Sequence, residues 1–129
     1  MKQQELEDRL IDFAVMIIEI GSNLKKSKAG ITIEGQIVRS CTSTALNYGE
    51  VQGAESSKDF IHKLQIVLKE LRETLIALII IKRAKLSNDP DKVEKRMGEN
   101  NELISIFVKS ILTGSVQNSV SFFKILSSK

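Results

Sequence analysis

The sequence of 129 residues predicts an all-α fold, an antiparallel up-and-down four-helix bundle formed by one domain over residues 1–129. Three observations support this prediction. Apolar residues recur with the period of an α-helix in four separate segments. The chain contains one proline and seven glycines, which favours long helices over a sheet protein rich in turns. Its length is sufficient for a substantial hydrophobic core without disulfide bonds.

The first helix is predicted from about residue 4 to residue 26. One face of this segment collects Leu6, Leu10, Phe13, Ala14, Ile17, Gly21 and Leu24. Residues 25–30 then supply basic side chains followed by a glycine, which favours a helix C-terminus there.

The second helix is predicted from about residue 32 to residue 52. Its modestly apolar stripe is rich in small side chains and consists of Ile33, Ile37, Ser40, Cys41, Thr44, Tyr48 and Val51. The turn that follows spans only residues 52–55. A connection this short predicts that the second and third helices are antiparallel neighbours.

The third helix is predicted over residues 57–86. Ser56 and Asp59 have the spacing of a capping box, with aspartate in place of the usual glutamate. The predicted core face consists of Phe60, Ile61, Leu64, Val67, Leu68, Leu71, Leu75, Leu78 and Ile79.

The fourth helix is predicted over residues 90–113, with Asp89 as its N-cap and Pro90 as its first helical residue. Its predicted core face consists of Val93, Met97, Leu103, Ile104, Phe107, Val108, Ile111 and Leu112. The pair Gly114-Ser115 is a possible end of the helix. The sequence leaves open whether residues 114–129 extend this helix or dock as a separate piece.

A polar stripe runs along the second helix. Its members lie within about 80° of one another on a helical wheel, and they are Gln36, Arg39, Ser43, Asn47 and Glu50. In an antiparallel hairpin, residue 39 comes level with 70, 36 with 73 and 47 with 62. We therefore predict an ion pair between Arg39 and Glu70, with Gln36 near Glu73 and Asn47 near His62. The alternative is an ordinary solvated polar face.

The segment from Gln36 to Thr74 carries a specific ordered pattern. It consists of Gln36-Ile37-Val38-Arg39-Ser40, Thr42-Ser43, Asn47-Tyr48-Gly49-Glu50, Gly53-Ala54, Asp59-Phe60, Lys63-Leu64, Leu68-Lys69-Glu70 and Glu73-Thr74. This pattern resembles that of the bacterial four-helix-bundle proteins encoded in intervening sequences of 23S ribosomal RNA genes. Two features depart from it, namely Val51 in place of alanine and Ile76-Ala77-Leu78 in place of an aromatic pair before leucine.

The resemblance implies an up-and-down bundle that commonly assembles as a homopentamer, and it implies no established activity. The position of the genes suggests a role in binding RNA or ribosomes. Related bundles serve as nucleic-acid-binding accessory factors in retroelements. A fold alone does not fix a function.

The third helix is apolar nearly all round after Glu73. The side opposite its core face carries Ile76, Ala77, Ile80 and Ile81, which a monomeric bundle would expose. These four residues are the predicted subunit interface of a homo-oligomer, a pentamer if the resemblance holds.

Basic residues collect where the first and third helices end and the fourth begins, a surface that we call the basic pole. It consists of Lys25, Lys26, Lys28, Lys82, Arg83, Lys85, Lys92, Lys95 and Arg96. Against these nine stand Glu34, Asp89, Asp91 and Glu94, a local excess of five. This surface is the candidate nucleic-acid interface. The alternative is that basic residues favour helix C-termini, which leaves Lys92, Lys95 and Arg96 unexplained.

Catalysis is not expected, and no metal or cofactor is predicted. His62 is the only histidine, so a repeated Glu-x-x-His di-iron motif is absent from the sequence. Glu70 and Glu73 lack histidine partners, and Cys41 lies on the predicted core face. The sequence contains neither a glycine-rich phosphate loop nor a nucleophile elbow.

A soluble protein in a reducing cytoplasm is expected. The acidic N-terminus is unlike a signal peptide, and the lone Cys41 suits reducing conditions. The longest apolar run, Leu75 to Ile81, has seven residues, whereas a membrane span needs about 20. The net charge of +3 is compatible with nucleic acid without being diagnostic.

The sequence thus predicts a non-enzymatic homo-oligomeric binding module, with RNA as the leading partner. The alternative is a structural or protein-interaction scaffold without affinity for nucleic acid. A small-molecule site in the central channel of an oligomer is a third possibility.

Overall fold

The computed structural model describes residues 3–116. Four helices and one short 3-10 turn follow in order, namely α1 (Gln3–Ser22), α2 (Lys28–Gly49), the 3-10 turn Val51–Gly53, α3 (Ser57–Arg83) and α4 (Pro90–Val116). Helix α1 packs on α2, α2 on α3 and α3 on α4, whereas α4 contacts α1 more thinly. The predicted all-α four-helix fold is confirmed, and α1 and α3 occupy diagonal corners of the bundle.

The first connection has the predicted length of five residues but lies four residues earlier than the sequence predicts, at residues 23–27 instead of 27–31. Helix α1 ends at Ser22 instead of residue 26, because Leu24 leaves the helix to form an antiparallel bridge with Ser87. The N–H of Lys25 then donates to the Leu86 carbonyl at 2.9 Å. Helix α2 begins at Lys28 instead of residue 32, because the Ser27 hydroxyl caps it by accepting from the Gly30 N–H at 3.1 Å.

Three other helix boundaries also differ from the prediction. Helix α2 ends at Gly49, and the rest of its predicted span forms the 3-10 turn. Helix α3 ends at Arg83 instead of residue 86, and α4 continues past residue 113 to Val116. Residues 117–129, most of the tail that the sequence leaves undecided, lie outside the described residues.

The start of α3 is close to the predicted capping box. The Ser56 hydroxyl accepts from the Asp59 N–H at 3.0 Å, as expected. The Asp59 carboxylate accepts from the N–H of Glu55 at 3.1 Å, one residue before the N–H that a capping box uses. The predicted N-cap of α4 is confirmed, since Asp89 accepts from the Lys92 N–H at 3.2 Å.

The end of α3 is a Schellman motif, in which two N–H groups beyond the helix satisfy its last carbonyls. The N–H of Lys85 donates to the Lys82 carbonyl at 3.2 Å, and that of Leu86 to the Ile81 carbonyl at 3.0 Å. This geometry places Lys85 at a φ of 56°, a left-handed conformation in which glycine is usual. Leu86 and Ile81, the two positions whose apolar contact usually accompanies the motif, are both buried.

The core follows the predicted faces closely. Every predicted core residue of α1 is buried, and so are Ile37, Cys41 and Tyr48 on α2. The Tyr48 and Phe107 rings meet edge to face with centroids 5.6 Å apart. The placement of Leu112 in the core is wrong, because its side chain is mostly exposed.

Buried polar groups also join the helices. The hydroxyls of Ser40 on α2 and Thr74 on α3 are 2.8 Å apart. In the amide orientation that satisfies both of its polar atoms, Asn100 donates to the Leu71 carbonyl at 3.0 Å and accepts from the Leu75 N–H at 3.1 Å. These contacts fix α3 against α2 and α4, because a buried polar group without a partner costs stability.

Candidate functional site

The ion pair predicted between Arg39 and Glu70 is confirmed. Nη1 of Arg39 lies 3.1 Å from Oε2 of Glu70, and Nη2 lies 2.5 Å from Oε2 of Glu73. The Glu70 side chain is 11% exposed and that of Arg39 is 52% exposed. The hydrogen bond to Glu73 and the charge of Glu70 raise the pKa of the Arg39 guanidinium. One arginine thus pairs with two carboxylates on the adjacent helix.

Two other contacts predicted for the polar stripe form no hydrogen bond. Gln36 lines the same groove as Glu73, but among residues 3–116 the partner of the Glu73 carboxylate is Arg39. The Asn47 amide donates to the Ser43 carbonyl at 2.8 Å within α2, and residues 3–116 contain no hydrogen bond between Asn47 and His62. The reason is that a short side chain in a helix reaches the carbonyl one turn back more easily than the next helix.

An open groove of about 680 Å³ is lined mainly by α2 and α3, with Arg39 and Glu73 among its lining residues and Ile111 contributed by α4. Its apolar lining includes Leu68, Ile76 and Ile111, and Lys69 and Arg72 add positive charge. Within the described part of the chain, neither of these two cations has an ion-pair partner. The groove therefore combines an apolar surface with a basic border.

The connections α1–α2 and α3–α4 lie side by side at the basic pole. The Leu24–Ser87 bridge and the hydrogen bond from Lys25 N–H to the Leu86 carbonyl join them. Lys25, Lys26 and Lys28 therefore stand next to the end of α3 and the start of α4. Six cations of the pole have no ion-pair partner among residues 3–116, namely Lys25, Lys26, Lys28, Arg83, Lys85 and Lys95.

Three predicted nucleic-acid contacts are engaged within the bundle. Lys82 pairs with Glu94 at 2.5 Å, Lys92 with Glu19 at 2.6 Å and Arg96 with Glu99 at 2.7 Å. Glu19 and Glu99 bring the number of acidic residues at the pole from four to six. Because the pole has nine basic residues, their excess over the acidic residues falls from five to three. Sequence reasoning missed these two carboxylates for different reasons. Glu19 meets Lys92 only where α1 packs on α4, and Glu99 reaches Arg96 along one turn of α4.

Arg96 is the clearest correction within the pole. Its side chain is only 15% exposed. Its Nε atom is buried without a hydrogen-bond partner in the described part of the chain. A phosphate contact needs an accessible guanidinium, so the prediction of Arg96 as a surface contact is wrong.

The predicted subunit interface divides into two pairs. Ile76 and Ile80 are 56% and 44% exposed, whereas Ala77 and Ile81 are buried in the core of the single chain. The prediction is therefore wrong for Ala77 and Ile81, because each follows the buried residues Thr74 and Leu78 by three positions and turns inward with them.

Sequence reasoning missed a second apolar surface. Ile11, Val15 and Ile18 on α1 are exposed large apolar side chains. Their spacings of four and three residues place them on one stripe opposite the buried face. This periodicity was the signal that could have identified them.

Clusters of metal-ligating side chains and membrane-spanning helices are absent from the described residues, and the cysteine is buried. Among residues 3–116, no group of three or more His, Cys, Asp or Glu side chains could hold a metal ion. Cys41 is fully buried, and burial raises the pKa of its thiol to about 11. In the same range, no helix is long and apolar enough to cross a membrane.

The chain is similar to a known protein family and to a protein of known structure. The family model described as 23S rRNA-intervening sequence protein matches residues 2–109. A crystal structure of a protein of unknown function from the S23 ribosomal protein family of Bacteroides thetaiotaomicron VPI-5482 shares 31% sequence identity, with a TM-score of 0.77. That likeness covers 86% of this chain and 98% of that chain. No curated protein matches the sequence.

Proposed function

The chain belongs to the 23S rRNA-intervening sequence protein family, and on that basis we propose that it is a homo-oligomeric, non-enzymatic module that binds RNA through its basic pole. One observation carries the proposal. Six cations without ion-pair partners among the described residues cluster at one end of the bundle, with Lys25, Lys26 and Lys85 in two adjacent connections and Lys28, Arg83 and Lys95 in the flanking helices. Lysine and arginine side chains neutralise phosphates without reading the base sequence.

Self-assembly strengthens the proposed interface. An excess of three positive charges on one subunit is modest. A ring with cyclic symmetry repeats the pole once per subunit, which multiplies the phosphate contacts available to one RNA molecule. Affinity for a polyanion then rises with the number of contacts made together.

The non-enzymatic part of the proposal rests on the state of the reactive side chains. The thiol of Cys41 is buried, and its raised pKa of about 11 leaves it protonated at neutral pH. Arg39 already occupies the paired carboxylates Glu70 and Glu73.

The conformation of Lys85 is a second support for the basic pole. A lysine at a φ of 56° costs about 1 kcal/mol relative to glycine. A strained residue that is not required for the turn is an argument for a role of its side chain. In this position the lysine adds one more positive charge beside Lys25 and Lys26.

The proposal predicts RNA binding that weakens steeply with salt. Fluorescence anisotropy with a labelled structured RNA, at 50 and 200 mM salt, measures this. The variant Lys26→Gln/Lys85→Gln is expected to bind more weakly, and each lost phosphate contact lowers the salt slope by about 1. The matched control Lys58→Gln/Lys109→Gln removes two exposed cations away from the pole and should bind like the wild type.

A further variant separates charge from folding. Lys85→Gly removes a cation of the pole and relieves the left-handed strain, so it should raise the free energy of unfolding by about 1 kcal/mol while weakening RNA binding. Reduced binding by a more stable protein cannot result from unfolding.

The absence of binding at low salt would contradict RNA as the partner. It would favour the alternative, a protein-interaction scaffold. The observation behind this alternative is that intramolecular ion pairs engage three of the nine cations of the pole.

A further inference from the structure

We infer that the outer face of α1 docks into the groove between α2 and α3 of a second copy of the chain, in a head-to-tail contact. This inference rests on the proposed self-assembly and deepens it by naming the two surfaces that meet.

The first surface is the exposed stripe of α1, formed by Ile11, Val15 and Ile18. Asp8 and Asp12 lie on the same outer half of the helix and border the stripe on one side. Neither aspartate has an ion-pair partner in the described part of the chain. The stripe is thus an apolar ridge with a negative border.

The second surface is the α2–α3 groove. Ile76 lines the groove of about 680 Å³ beside the Arg39 cluster, and Ile80 lines a neighbouring groove of about 490 Å³ between the same two helices. The two isoleucines are four residues apart and about half exposed, so they form one apolar strip along α3. An amphipathic helix can lay its apolar face into a hydrophobic groove of this kind.

The charges of the two surfaces are opposite. The groove carries Lys69 and Arg72, whose positive charges have no ion-pair partner among residues 3–116. Its other charged lining residues, Arg39 and Glu73, pair with each other. On α1 the only basic residue is Arg9, and it pairs with Glu102 on α4. The acidic border of α1 is therefore left without a positive partner inside the described chain, and the basic border of the groove without a negative one.

The positions of the surfaces determine the symmetry. Because α1 and α3 occupy diagonal corners, the ridge and the groove face different directions on one subunit. Contact between two different surfaces is heterologous, and it closes into a ring when the rotation between subunits divides a full turn. A two-fold dimer would instead need the ridge and the groove to lie side by side on one face, so that each subunit offers both to the other.

Two variants test the contact by complementation. Val15→Arg places a cation on the ridge, where it meets the basic border of the groove. Ile76→Glu places a carboxylate in the groove, where it meets the aspartates of α1. Native mass spectrometry should show that each variant falls from the wild-type oligomer to a species of 14.4 kDa.

Mixing the two variants in equal amounts should restore complexes of at least two chains. The Val15→Arg chain keeps an intact groove, and the Ile76→Glu chain keeps an intact ridge. Leu46→Arg is the matched control, since Leu46 is exposed on α2 but belongs to neither surface, and it should keep the wild-type mass. Circular dichroism establishes that each variant is helical.

The outcomes separate the proposed self-assembly from the proposed docking. A wild-type protein that is monomeric at micromolar concentration overturns both the proposed self-assembly and this docking. A wild-type oligomer that both variants retain overturns the docking alone. Monomeric variants that stay monomeric after mixing do the same, because a head-to-tail contact must complement.

Discussion

Replacing Gly30 with alanine is expected to lower the free energy of unfolding by about 3 kcal/mol, the upper end of the usual cost of overpacking. A Cβ atom at this position would lie 1.9 Å from the carbonyl oxygen of Lys25. That oxygen cannot move freely, because the N–H of Lys25 is bonded to Leu86 across the two connections. The clash therefore outweighs the gain of about 1 kcal/mol that alanine brings to a helix.

Gly35→Ala is the matched control in the same helix. A Cβ atom at Gly35 meets nothing within 4 Å, and the residue is exposed. This variant should therefore raise the free energy of unfolding by about 0.5–1 kcal/mol. Urea denaturation of both variants gives the comparison. Equal stability of Gly30→Ala and the wild type would mean that the two connections are not packed as described.

A double-mutant cycle on Arg39 and Glu70 should give a coupling free energy of about 2 kcal/mol. Removing Arg39 leaves the buried carboxylate of Glu70 without its partner, and removing Glu70 leaves the guanidinium with Glu73 alone. This coupling free energy is smaller than that of a fully buried ion pair because half of the Arg39 side chain is exposed to water. Arg39→Leu, Glu70→Leu and the double variant are compared by urea denaturation at one protein concentration.

The pair Arg9 and Glu102 is the control for this cycle. It joins α1 to α4, and 68% of the Glu102 side chain is exposed. Its coupling should be about 0.5 kcal/mol, as for other surface ion pairs. A coupling near zero for Arg39 and Glu70 would mean that their approach contributes nothing to the fold.

Helix periodicity was sufficient to predict the fold. Each helix was long and carried a clear apolar face, so the positions of buried residues such as Leu10, Ile37 and Phe107 followed from a period of 3.6. Antiparallel register across a short turn also gave the Arg39–Glu70 pair. The register was correct because the connection of residues 50–56 is too short to allow another alignment.

The errors arose where tertiary contacts compete with local pattern. The sequence extended the first helix to residue 26, whereas Leu24 and Lys25 are bonded to the α3–α4 connection. The positive charge of the basic pole was overestimated because Glu19 lies far from Lys92 in sequence and meets it only after folding. The left-handed conformation of Lys85 gave no signal, since glycine is the residue by which such a turn is recognised.

Sedimentation equilibrium of the wild-type protein at micromolar concentration tests the central claim most directly. Both the ring of basic poles and the head-to-tail docking require that the chain assembles with itself. We expect a single species several times heavier than the 14.4 kDa chain, at five times that mass for the pentamer that the family resemblance implies. A single species of 14.4 kDa at this concentration would contradict the account.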